Sequence, residues 1–503
     1  MTRLLQPFDR LLAALTDPAR RERTMLWLLV GYCAIWSLYG ALAKGSQDLH
    51  FDMGEMVAWS REAGIGTPKH PPLAAWVVRV WFALFPQADW AFYLLAMVLA
   101  TFALWVAWRA FEPYVDGEKR VAALALLTFV PFFNFHALKY NANTILVPLW
   151  AVTTWLFLRS FETRQASWAW LAGVAAAGAM LGKYWSIFLL AGLGIAALAD
   201  PRRAAFFRSP APWLTIAAGA IAFAPHLAWI VASGFAPFAY AVDAHPATLA
   251  SAASSAVGFL VGVGGYIAAP VVLAALAARP DLAAVRDTLW PETPERRLVL
   301  LAFVLPLVLP VIVAIAMKVE IVSLWAIGGM ALLGVVLLSS PLVTVPRVRA
   351  VHVVAMAVML PILMTIAAPF IAIYIHREGL TNYATHYRLL ANQVDRVWRE
   401  TTTKPMRFVG SYTNVVNGVV FYLKDRPSTL DIMTPDVTPW ADPQSVARDG
   451  VALVCPEPEM MCVEKLRERA GSDLPRHAVT LSRRHFGHAD TPVRYIIVVV
   501  PPK

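Results

Sequence analysis

Charge is what this sequence is short of. Only 15% of its 503 residues are Asp, Glu, Lys or Arg, against 58% hydrophobic. A soluble globular chain does not have that balance. Cysteine is scarcer still: Cys33 lies in the first apolar run, and Cys455 and Cys462 lie close together near the C-terminus. If that end is outside the cytoplasm, the last two can close a short-loop disulfide; otherwise they are two neighbouring thiols. Internal repeats and low-complexity segments are also missing from the sequence. The formal net charge of +10 would suit a nucleic-acid partner. The basic residues, however, sit in short clusters between apolar runs, which is the pattern of membrane topology and argues against nucleic acid.

Apolar runs occupy most of the remainder. About 20 such residues cross a bilayer as a helix, and runs near 25–44, 88–110, 121–137, 144–160, 168–182, 185–199, 211–232, 255–277, 298–317, 322–339 and 351–375 predict eleven spans. Three of them, 121–137, 168–182 and 185–199, are short. The run 71–86 is shorter than a span and carries Arg79, so it reads as an amphipathic helix at the interface. Eleven spans put the termini on opposite sides. The N-terminal arm and the loops on its side hold 19 Lys and Arg, the opposite short loops 7, which makes the N-terminus cytoplasmic. The first span is longer than a signal-peptide core and no small-residue cleavage site follows it, so it is expected to stay uncleaved.

The expected fold class is thus a polytopic α-helical membrane protein with a C-terminal soluble α/β domain. A basic arm covers 1–24 and the membrane domain 25–375, with a first outer loop, 45–87, carrying juxtamembrane helices. An extracytoplasmic domain covers 376–503. In that tail "MRFVGSY", "VVFYL", "VALVCP" and "RYIIVVV" alternate with Pro- and Asp-rich turns, and "EKLRERAG" reads as a short helix. A lid or stabilising cap is its expected role.

The scarce charges gather in "HFDMGEMVAWSREAGIGTPKHPPL", His50 to Leu73. Asp52 and Glu55, three apart, share one helical face, and Met53, Met56, Val57 and Trp59 could rest on the membrane surface. A partly dehydrated carboxylate there suits accepting a proton from an attacking hydroxyl. Four lysines, Lys69, Lys139, Lys183 and Lys318, each occupy a different outward loop near the interface. An ionisable group at that depth snorkels, pairs or serves a ligand. Converging, the four would form a cationic pocket for a phosphate or pyrophosphate whose lipid tail stays in the bilayer; separately, each anchors a helix end. Lys69 and His70 sit in the rigid turn "TPKHPPL", and Lys183 and Tyr184 in the tight turn "GKYW". In "LKYNANT", Tyr140, Asn141 and Asn143 could hold a sugar or cap the next helix. Asp243 and His245 of "DAH" join Asp52, Glu55 and His70 as hard or borderline metal ligands. A divalent metal is compatible with them and is not predicted.

At these residues the sequence resembles a known group. An acid on the first outer loop, a helix carrying "WS", and then "GTPKHPPL" are similar to the lipid-linked-sugar glycosyltransferases of the GT-C fold. More narrowly they resemble protein mannosyltransferases, aminoarabinose transferases of lipid A and galacturonosyltransferases of lipopolysaccharide. The resemblance covers roughly residues 25–340. It implies a polyprenyl-phosphate-sugar donor in the inner membrane, with Asp52 as catalytic base and Lys69 on the donor phosphate. The acceptor would be a glycolipid such as lipid A, a polysaccharide or a protein. The chain departs from the group in two places: Met53 follows Asp52 where an acid pair is common, and Asn143 stands where relatives carry a second-loop carboxylate. The alternatives are a transporter or flippase of a lipid-linked anionic sugar, and a scaffold or sensor worked by the outer domain. Paired repeats and midplane polar breaks, the usual marks of alternating access, are not visible in the sequence.

Overall fold

The computed structural model describes residues 3–503 except 63, 245, 380, 381 and 472. Among the described residues six helices are long and apolar enough to cross a membrane: Arg21–Ala43, Asp89–Phe111, Ala211–Ala232, Leu249–Ala278, Pro294–Met317 and Arg347–Glu378. The chain is a multi-pass membrane protein. The other five apolar runs fold as shorter pieces. Leu146–Thr163 has 18 residues and Ala166–Gly182 has 17, and a 3₁₀ turn precedes Ile187–Ala199. The run 121–137 stops as a helix at Leu127, and a 3₁₀ turn opens at Pro131, where the ring removes a donor. The run 322–339 divides into a 3₁₀ segment, Ser323–Met330, and the helix Leu333–Leu338. Gly328 there packs on the Trp150 indole so closely that a Cβ would lie 2.7 Å from the ring.

The chain divides into two compact units. The first, Met1–Ser37 with Leu94–Met364, is helical. Small residues let its helices approach closely: Gly173 of Ala166–Gly182 packs on the backbone of Ala211–Ala232 at Thr215 and Gly219. The second unit joins Leu38–Tyr93 to Thr365–Lys503. Its sheet has the order β2-β1-β3-β7-β4, from β1 (Phe408–Ser411), β2 (Ser428–Asp431), β3 (Val451–Pro456), β4 (His477–Leu481) and β7 (Val493–Val500). β1 runs parallel to β2 and β3, and β7 antiparallel to β3 and β4. β3 is buried at every residue. An unbroken apolar run of this kind marks a strand covered on both faces. Helices Tyr387–Thr401 and Thr413–Val420 pack on one side, and Met460–Ala470 on the other. "VVFYL" thus closes the helix Thr413–Val420 instead of making a strand. A disulfide joins Cys455 of β3 to Cys462, with Cα atoms 5.8 Å apart.

The sequence leads one to expect the helix bearing Asp52 to lie on a membrane surface. In the second unit it is packed instead: residues Met53 to Ser60 of Phe51–Glu62 are all buried. Trp59 is 7% exposed, and Ala58 joins the core beneath Tyr387 and Val415. The approach hinges on Gly54, where a Cβ would overlap the carbonyl of Asn417. Gly54→Ala must therefore push two backbones apart, an overpacking cost of about 1–3 kcal/mol. A lowered Tm for the purified protein is the expected readout.

Candidate active site

The Asp52 helix begins directly after His50. The Asp52 amide donates to His50 Nδ1 at 3.2 Å, and an Asp52 carboxylate oxygen lies 3.7 Å from the same nitrogen. A neutral ring accepting that amide carries its proton on Nε2, so Nδ1 does not also donate to the carboxylate. The Asp52 side chain keeps 23% exposure, enough for a substrate to reach it.

One turn along, Glu55 is buried and accepts from Lys69 Nζ at 2.8 Å. Burial pushes the Glu55 carboxyl up from its ordinary 4.5, Lys69 pulls it down, and the charges of Asp52 and Asp431 raise it again. The folded chain then holds this proton more tightly than the unfolded one. Stability from this group is full below the unfolded value and is lost as pH rises through the raised folded value. Glu55→Gln removes that slope, which Tm measured from about pH 4 to pH 7 would register.

Lys69 is fixed from its other side by the turn. Thr67 donates its amide and its hydroxyl to the His70 carbonyl, at 3.2 and 3.0 Å, and its hydroxyl accepts the His70 amide at 3.0 Å. Pro71 and Pro72 have no amide to offer, so the turn presents the ammonium of Lys69 and not a nest of backbone donors. That ammonium stands 5.9 Å from the Trp59 ring centre, and Trp59 meets His70 edge-on at 5.7 Å. Asp52, Glu55, Lys69 and His70 are thus gathered within the second unit.

The first unit holds the other candidates. Asn141 Oδ1 accepts the amides of Asn143 and Thr144 at 2.8 and 3.2 Å, which closes a turn ahead of the helix Leu146–Thr163 without capping it. Asn143 points its own amide oxygen at Lys183 Nζ, 2.5 Å away, and that ammonium lies 4.8 Å from the Trp325 ring centre. An amide partner stabilises the ammonium without neutralising it. Tyr140 is fully buried. The Tyr184 hydroxyl meets His226 Nε2 at 2.9 Å. Lys318 ends the helix Pro294–Met317 in a left-handed conformation, φ 54°, with an exposed side chain, and it joins none of these groups among the described contacts. The Asp243 side chain and His245 lie outside the described residues.

Asp48 is a further buried acid that its sequence neighbours do not mark. It is 1% exposed and accepts from the Arg388 amide at 2.9 Å and the Arg483 guanidinium at 2.5 Å. Arg388 also donates to Asp89 at 2.7 Å, with its guanidinium 4.6 Å from the Tyr422 ring centre. Together they line a polar cavity of about 400 Å³ in the second unit. No local signal marks Asp48, because its partners are 340 and 435 residues away.

With this geometry in place, comparison with solved structures decides the fold. The chain superposes on ArnT from Cupriavidus metallidurans bound to undecaprenyl phosphate with a TM-score of 0.62, at 14% identity. The same protein in the apo state gives 0.63 at 12%. Both matches cover 94% of this chain and 97% of the other. The fold is of the GT-C type. A family model described as dolichyl-phosphate-mannose-protein mannosyltransferase matches residues 69–229, a stretch that holds Lys69, the "LKYNANT" corner and Lys183. No curated protein sequence matches.

Proposed function

We propose that this protein is a membrane glycosyltransferase that moves a sugar from a polyprenyl-phosphate donor to an acceptor hydroxyl. The observation that carries the reading is that two independent likenesses meet on one lipid class. The fold is that of a protein crystallised with undecaprenyl phosphate, and the family model is named for dolichyl-phosphate mannose. A side-chain set suited to that chemistry lies on the Asp52 helix and the turn after it.

In the proposed step Asp52 takes the proton of the acceptor hydroxyl while its oxygen attacks the anomeric carbon. The bond to the phosphate oxygen breaks and the electron pair leaves with the polyprenyl phosphate. A single displacement of this kind inverts the anomeric carbon. Lys69, held by Glu55, stabilises the charge growing on the departing phosphate. Lys183 with Asn143 is the donor-binding candidate of the first unit, where an apolar cavity of about 420 Å³, lined by Phe157, Met180 and Phe223 among others, suits hydrocarbon.

The acceptor is a glycolipid such as lipid A, a polysaccharide or a protein, on the outer face of a bacterial inner membrane. The positive-inside count and the Cys455–Cys462 disulfide, a bond favoured in oxidising compartments, both support an outward C-terminal region. Mass spectrometry of envelope glycolipids, polysaccharides and glycoproteins from cells with and without this protein tests the reading. A glycan mass that disappears on deletion and returns with the wild-type gene is expected; identical spectra would overturn it.

A further inference from the structure

A pair of histidines in the second unit takes no part in the proposed transfer. His376 stands near the end of the helix Arg347–Glu378 and is 3% exposed. His485 lies on the short strand β5 (Arg484–His485), which pairs with β6 (His488–Ala489), placing His485 directly opposite His488. The turn between them, Phe486–Gly487, has positive φ at both residues, 46° and 81°, as a two-residue hairpin requires. The hairpin therefore has a fixed register, and so do its imidazoles.

His376 donates from Nε2 to the carbonyl of His488 at 2.9 Å. In the neutral ring that bond leaves the lone pair on Nδ1. Nδ1 is buried and has no hydrogen-bond partner, and the same is true of His485 Nε2. The ring centres are 5.6 Å apart, with planes inclined at 57°. Buried nitrogens of this kind ordinarily find a donor. Two imidazoles bound to one ion at about 2.0–2.1 Å bring their ring centres to roughly 5–6 Å, which is the spacing found. A carbonyl accepting the remote N–H is also the usual way a protein orients a ligating histidine.

We infer that His376 Nδ1 and His485 Nε2 form a two-imidazole site for a borderline divalent transition ion of the Zn²⁺, Ni²⁺ or Cu²⁺ class. Neutral nitrogen ligands select that class over Mg²⁺ and Ca²⁺, which take oxygen. No group of three His, Cys, Asp or Glu side chains suited to a metal occurs among the described residues, so the two imidazoles are the side-chain ligands, and water or backbone oxygen would fill the remaining positions. The neighbouring cations are engaged elsewhere: Arg377 donates to His488 Nε2 at 2.7 Å and Arg483 to Asp48. The ion would clip the β5–β6 hairpin to the end of the helix. This inference does not depend on the transferase reading.

The test uses the full chain in detergent, tag removed and stripped with EDTA. It is titrated with Zn²⁺, Ni²⁺ and Cu²⁺ by calorimetry, with Tm followed by tryptophan fluorescence. One equivalent of saturable binding is expected, tightest for Cu²⁺, with Tm rising as the ion is added. His485→Ala, on a short hairpin outside the five-stranded sheet, and His376→Gln should each weaken binding at least about tenfold, a difference of one decade in Kd. His352→Ala, a histidine elsewhere on the same helix, should change nothing. Absence of saturable binding, or binding that survives both His485→Ala and His376→Gln at unchanged affinity, would overturn the inference.

Discussion

Asp52→Asn should leave a protein that inserts, folds and binds its lipid donor, yet transfers sugar about 10²–10⁴ times more slowly, the usual contribution of a positioned general base. The substitution preserves shape and the amide contact to His50 while removing the basic oxygen. The loss belongs in kcat, with donor affinity changed little, because the proton moves only as the new bond forms. Single-turnover assays with a radiolabelled polyprenyl-phosphate sugar, beside equilibrium binding of the same donor, separate the two. Wild-type transfer by correctly inserted Asp52→Asn would end the case for this residue as the base.

Lys69→Ala carries the second large effect. If its ammonium stabilises the leaving phosphate, removal should cost about 10²–10³ in rate, the range seen when one preorganised electrostatic partner is lost. Lys69→Arg should recover only part of it, since a guanidinium is broader and planar and Glu55 is placed for a single point charge at 2.8 Å. Lys69→Ala also leaves Glu55 buried without its cation. Breaking a buried pair costs stability as well as activity, so Tm must be read beside the rate. The double variant Lys69→Ala/Glu55→Gln tells the two apart: it should recover Tm while the rate stays low. A purely structural Lys69 would recover both.

Much of this was legible in the chain itself. Apolar length gave the six long helices, and the apolar stretches "VALVCP" and "RYIIVVV" fall on the adjacent strands β3 and β7 of the tail sheet. "TPKHPPL" announced a rigid turn with a presented lysine, and the Thr67 hydroxyl closes it. What could not be read was long-range pairing. The amphipathic look of residues 52–64 suggested a helix resting on lipid, whereas Met53 to Ser60 are buried and Ala58 packs in one core with Val415, Val416 and Val419, more than 350 positions on in the chain. Glu55 looks like a second base by spacing alone; only its burial and the lysine at 2.8 Å identify it as a partner that fixes Lys69. Asp48 has nothing beside it in sequence to set it apart from any solvated acid.

The contacts between the Asp52 segment and the tail bear on how such proteins can be recombined. Arg61 donates to the carbonyls of Pro427 and Val420 at 2.7 and 3.0 Å, the Leu49 amide to the Tyr422 hydroxyl at 2.9 Å, and the Asp48 amide to the Ala384 carbonyl at 2.7 Å. A hybrid that exchanges the tail at residue 376 and keeps its own first loop would inherit mismatched halves of every one of these bonds. Grafts meant to move acceptor preference from one such protein to another therefore need two crossover points, carrying residues 38–93 along with the C-terminal region as one cassette.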